Sequence, residues 1–113
     1  MYKTINYDKP ERARNIAEVN PILHDKVYRI CDIIGLNHNG LFGKSQEQKY
    51  TLIRYMLFDI FKNDLKFTTG EIANYFNRKH SIIFVSINKI RGFCKLYPEI
   101  NQQYLTIKNF ILN

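Results

Sequence analysis

The most constraining stretch of the sequence runs from Lys66 to Cys94, KFTTGEIANYFNRKHSIIFVSINKIRGFC. It reads as two helices joined by a tight basic turn. Thr68 followed by Glu71 fits a capping box, in which the hydroxyl accepts from a first-turn amide and the carboxylate reaches back to the cap amide. Ile72, Ala73 and Phe76 form one apolar stripe, and the small Ala73 lets a crossing helix come close. Asn77 stands where the first helix must stop, and Asn tolerates left-handed backbone better than most residues. After Arg78-Lys79-His80, the apolar positions Ile83, Ile87, Ile90 and Cys94 recur at helical spacing. The other side of this second helix starts with His80, Ser81, Phe84 and Val85 and continues through Asn88, Lys89, Arg91 and Lys95. One face is thus core. The layout is that of a helix-turn-helix, whose second helix would present the polar face to a major groove.

Charge sharpens this expectation. The chain of 113 residues has 17 basic and 10 acidic residues, a formal charge of +7 that favours a polyanionic partner. Abundant Ile, Asn, Lys, Tyr and Phe would also follow from an AT-rich coding source, so position carries more weight than amount. From Asn77 to Lys95 the charged residues are Arg78, Lys79, Lys89, Arg91 and Lys95, with no Asp or Glu. A hydrophobic fraction of 45% and an aromatic fraction of 14% exclude general disorder, and the length fits one domain.

Cys31 and Cys94 each fall in an apolar helical pattern and belong to no CxxC pair, which points to reduced thiols rather than a disulfide or metal site. No signal peptide pattern and no apolar run of about 20 residues is visible, so the expectation is a cytoplasmic protein that does not enter a membrane.

The rest of the chain surrounds the central pair with further helices. Residues 1–20 read as an N-terminal arm and short helix, and residues 21–113 as a single helical domain. Pro10 can occupy the first turn of a helix running through ERARNIAEV and stopping near Asn20, ahead of Pro21. Arg12 and Arg14 are candidate DNA-arm residues or plain solvated charges. A helix is predicted from Pro21 to Ile34, with Ile22 or Leu23, Val27, Ile30, Cys31 and Ile34 inward, His24 outward and Gly35 as its stop. Leu36–Ser45 reads as a loop. GLFGKS lacks the spacing of a P-loop, but Lys44 with Lys49 is placed to hold a backbone phosphate near a helix start. The longest helix is predicted from about Gln46 to Lys62, with Tyr50, Ile53, Met56, Leu57, Ile60 and Phe61 inward. Arg54 lies beside that stripe and either snorkels to solvent or points at DNA. A last helix is predicted after Pro98. The class is an all-α compact bundle containing a helix-turn-helix.

From Leu41 onward, LFGKSQEQKYTLIRYMLFDIF followed by TTGEIANYFNRKHSIIFVSINKI resembles the C-terminal DNA-binding domain of the bacterial chromosomal replication initiator DnaA. The matching features are the Lys-Ser loop, Arg54 before an apolar Tyr-Met-Leu helix, Glu71-Ile72, Phe76, Arg78-x-His80-Ser81 and Lys89-Ile90. The resemblance spans roughly residues 22–95. It implies recognition of a short duplex sequence, with His80 and Ser81 at base edges and Arg78, Lys44, Lys49 and Arg54 on the phosphate side. It also implies a binding head, because neither a Walker motif nor room for an ATPase domain is present. Three positions depart from the family: Lys79 replaces its usual Asp, Ile82 its usual Thr, and Gln46 a frequent Arg. Lys79 then adds a phosphate donor, and Ile82, Phe84 or Val85 can meet thymine methyls. The family's preferred site is therefore not carried over.

Two functions from different classes follow. The first is a sequence-selective double-stranded DNA binder, in replication initiation or its regulation, using Lys44, Lys49, Arg54, Arg78, Lys79, His80, Ser81, Ile82, Val85 and Lys89. The second keeps the fold but binds a protein partner, such as a replication protein, through the apolar Ile82, Phe84 and Val85. No cofactor, metal set or nucleophile setting is read, so an enzyme is not expected: His24, His38 and His80 lack ligand spacing.

Overall fold

The computed structural model describes residues 14–113, so the expected helix start at Pro10, the N-terminal arm and Arg12 lie outside the described residues. The described part is an all-α bundle without strands. Its helices are α1 (Ile16–Val19), α2 (Pro21–Ile34), α3 (His38–Phe42), α4 (Gln48–Asp59), α5 (Thr69–Phe76), α6 (His80–Leu96) and α7 (Pro98–Leu112). A single π-helical turn, Ile60–Asp64, extends α4.

The boundaries follow from local chemistry. Asn15 caps α1 through its side chain onto the Ala17 amide at 3.0 Å, and its backbone is extended. The expectation of one continuous helix through residues 11–19 is therefore corrected at Arg14 and Asn15, which are not helical; the residues before them lie outside the described part. Asn20 caps α2 on the Leu23 amide, Pro21 takes the first position, and Gly35 closes the helix at φ 82°, where a left-handed backbone suits glycine. Leu23, Val27, Ile30 and Cys31 face inward as expected, whereas Ile22 and Ile34 are exposed. The expected loop 36–45 contains a short helix, α3, started by Asn37 and tied to the core by Leu41 and Phe42.

Helix α4 is the centre of the bundle. Tyr50, Ile53, Met56, Leu57, Phe58, Ile60 and Phe61 are all buried, so apolar contact surrounds it on several sides. Its π turn places the Leu65 amide on the Ile60 carbonyl at 3.0 Å, and the chain then reverses at Lys66, which has a φ of 65°. The aromatic part of the core gathers here. Phe76 lies 5.1 Å from Phe58, 5.7 Å from Phe61 and 5.5 Å from Phe42, centroid to centroid. Helix α7 packs on α2 and α6 through Ile107 and Ile111. Cys31 is buried and Cys94 half-buried, and both are free thiols. No helix among the described residues is long and apolar enough to cross a membrane.

Candidate nucleic-acid interface

The capping box forms as the sequence dictates. The Glu71 amide donates to the Thr68 hydroxyl at 3.1 Å, and the Thr68 amide donates to the Glu71 carboxylate at 2.9 Å. Glu71 has a second task the sequence did not announce. Arg14 donates its backbone amide at 3.1 Å, its Nε at 2.7 Å and its Nη2 at 3.2 Å to the same carboxylate. These bonds, led by the guanidinium, outweigh burial and pull the Glu71 carboxyl down to about 2. Arg14 is thereby committed to α5 and to the Phe67 ring, 5.3 Å from its guanidinium carbon. The expectation of a DNA-arm or purely solvated Arg14 is corrected.

Between α5 and α6 lies a three-residue turn. Asn77 adopts φ 55° and ψ 53°, the left-handed stop expected of it, and its amide bonds back to α5. Arg78 then folds inward. Its Nη1 donates to the Phe76 carbonyl at 3.0 Å, and its Nη2 donates to the Gly43 carbonyl. That second bond crosses from the turn to the α3–α4 loop and ties the residue before Lys44 to the turn that precedes α6.

Arg54 is the clearest correction among the candidates. It neither snorkels nor points outward: it is 3% exposed, and donates from Nε to the Leu41 carbonyl and from Nη2 to the Gly40 and Ser45 carbonyls, each at 2.7 Å. Burial first, then the neighbouring charge of Arg78, lowers its guanidinium to about 10, so it stays charged at neutral pH. Carbonyl dipoles satisfy both arginines. They shape the Gly40–Ser45 loop from beneath, and half-buried Arg78 shares this holding role. Lys49 has its ammonium 5.4 Å from the Tyr50 ring centroid and lines a recess with Leu36, Leu52 and Gln103.

The remaining candidates do converge. Lys44, Lys79, His80, Ser81, Ile82, Val85 and Lys89 are all exposed, six of them on α6 or its cap. Phe84 belongs to the same region at 56% exposure, with the Lys62 ammonium 5.1 Å from its ring centroid. Asn88 and Lys95 continue the exposed side. Arg91 is exposed too, but its guanidinium is tied to the buried carboxylate of Asp59, Nη2 to Oδ1 at 3.0 Å.

Gly70 is a functional candidate that sequence reasoning missed. A Cβ there would stand 3.2 Å from Cε1 of His80, so the imidazole leans on the first turn of α5 at the one position lacking a side chain. The visible signal was a glycine in the first turn of a helix, where helix propensity opposes it. His24, expected on the outer surface, is half-buried, with Nδ1 2.7 Å from the Tyr75 hydroxyl. Neither a family model, nor a curated protein, nor a solved structure matches this chain.

Proposed function

We propose that this protein is a non-enzymatic, sequence-selective binder of duplex DNA that inserts the first two turns of α6 into a major groove. The observation that carries the reading is the outward side of α6. It is exposed from Lys79 through Lys89, contains no acidic residue, and starts with His80 and Ser81 after a turn that Arg78 ties to the loop carrying Lys44. Residues at the start of a recognition helix reach base edges, and flanking lysines fix register through phosphates. Ile82 and Val85 fit thymine methyls. In this arrangement Lys44, Lys79 and Lys89 are the phosphate donors, while Arg54 and Arg78 hold the loop that carries Lys44. The resemblance to the replication initiator's DNA-binding domain makes replication initiation, or its regulation, the proposed setting.

Selection of duplexes from a randomised pool at about physiological salt tests the reading. An enriched motif is expected, with His80→Ala flattening its preference. Lys44→Ala and Lys79→Ala should weaken all sequences alike and lower the salt slope by about 1 each. Random retained sequences, with binding that collapses as salt rises, would falsify selective recognition.

One observation favours a second reading. Ile82, Phe84 and Val85 are 42%, 56% and 53% exposed on the same helix, an apolar stretch that suits a protein partner, such as a replication protein. That reading predicts little DNA affinity at physiological salt and loss of the partner on Phe84→Ser.

A further inference from the structure

On another part of the surface, α1, α2, α3 and α5 enclose a recess of about 300 Å³, at the small end of pockets that take small molecules. Its walls are rings: His24 and Tyr28 from α2, Phe42 from α3 and Tyr75 from α5, with Asn15 and Asn74 at the edge. The rings hold one another in place. Tyr28 lies 4.8 Å from His24 and 5.8 Å from Phe42, and Phe42 meets Tyr75 edge-on at 5.3 Å. The 2.7 Å bond between His24 Nδ1 and the Tyr75 hydroxyl fixes both side chains, and burial raises the Tyr75 phenol well above its ordinary value, so it stays protonated.

We propose that this recess binds a nucleobase, stacked among the Tyr28, Phe42 and Tyr75 rings and addressed at its edge by His24 and Asn74. Three features select that chemistry. Among the described residues no Asp, Glu, Lys or Arg lines the recess, so none of them offers a cation or a phosphate a counter-charge in it. The aromatic walls favour a flat, polarisable ring, and base–aromatic stacking is tolerant of sequence. The polar groups are matched to a base edge: the Asn74 carboxamide is exposed and, like His24 Nε2, makes no hydrogen bond among the described residues. A carboxamide offers a donor and an acceptor side by side, the pattern that pairs with a base. The walls are already assembled by packing and by the His24–Tyr75 bond, so binding needs little reordering. No α6 residue lines the recess, so binding there does not depend on the duplex reading.

The test follows the ring protons of His24, Tyr28 and Tyr75 by NMR in the full chain. The probes are deoxyadenosine, the other three deoxynucleosides, and short single-stranded oligo-deoxyadenylate. Saturable shifts at these rings are expected, with Tyr28→Ala weakening binding about tenfold and Asn74→Ala altering preference among the four bases. Asn74 is exposed, so Asn74→Ala should keep the wild-type melting curve. Tyr28 packs on His24, His38 and Phe42, so Tyr28→Ala is compared at a temperature where its melting curve shows it folded. Tighter binding of the oligomer than of the nucleoside would identify the source as an unstacked base of a strand. Equal binding would identify a free nucleoside or nucleotide. Shifts that never saturate, or that survive both substitutions, would overturn the assignment. His80→Ala should leave this binding unchanged while abolishing site preference on duplexes, which separates failure of one reading from failure of the other.

Discussion

Gly70 shows how one missing side chain sets the position of another. Its φ is not in the left-handed region, so nothing in its own backbone requires glycine. What requires it is the His80 ring, which a Cβ would meet at 3.2 Å. Because His80 is exposed, the ring can yield by a few tenths of an ångström instead of straining the helix. Gly70→Ala should therefore stabilise α5 by about 0.5–1 kcal/mol through reduced unfolded-state entropy. Melting followed by circular dichroism should rise by about 2–6 °C. Site preference on duplex DNA should meanwhile fall toward that of His80→Ala. Unchanged preference in the alanine variant, with a clear loss in His80→Ala, would mean that ring position does not matter to recognition. Residue-scale features of this kind were partly legible beforehand. Asn77, Gly35 and the Thr68–Glu71 box announce themselves, because each solves a backbone problem within a few residues of itself. The role of Gly70 did not, because its reason lies on the next helix.

At the scale of elements, the same division holds. The inward stripes of α2, α4 and α6 were readable from periodicity, since burying one side of a helix demands apolar residues three and four apart. The destinations of Arg14, Arg54, Arg78 and Arg91 were not, because a guanidinium suits solvent, phosphate, carboxylate or carbonyl equally and only the tertiary fold decides. Helix α3 was hidden because residues 36–45, which contain it, hold two glycines and two asparagines and so read as loop. Glu71 shows what such long-range ties contribute. Its folded carboxyl sits at about 2, against an ordinary value of 4.5, chiefly through Arg14. A depressed folded value means stability that is present above pH about 4.5 and is lost as the pH falls toward 2. Because Arg14 is itself exposed, screening reduces the effect, and about 1–2 kcal/mol is expected. Urea unfolding at pH 7 and at successively lower pH checks this. Glu71→Gln should be less stable than wild type by that amount at pH 7, with the gap closing in acid. A gap independent of pH would assign the loss to packing and not to the charge.

Across the whole molecule, Asp59 joins the helix at the centre to α6 and α7. Its carboxylate, buried at the end of α4, accepts from Arg91 of α6 at 3.0 Å, from the Tyr104 hydroxyl of α7 at 2.8 Å, and from Asn63 at 2.6 Å. Burial would raise this carboxyl, but the three donors more than offset it and hold it below its ordinary range. Asp59→Asn removes the charge and the match to these donors, so a loss of about 2–4 kcal/mol is expected. Tyr104→Phe should cost about 1 kcal/mol, and the double variant less than the sum, because both changes break one shared bond. Asp59 also restrains charge on the proposed DNA-binding helix. Without it, Arg91 is released on the exposed side of α6 and the net charge rises by one. Asp59→Asn, compared with wild type at a temperature where both are folded, should therefore bind nonspecific duplex more tightly and with a salt slope steeper by about 1. The two readouts move in opposite directions, which a simple loss of folded protein cannot do. Weaker binding to nonspecific DNA, in a variant shown to be folded, would place the nucleic-acid surface somewhere other than α6.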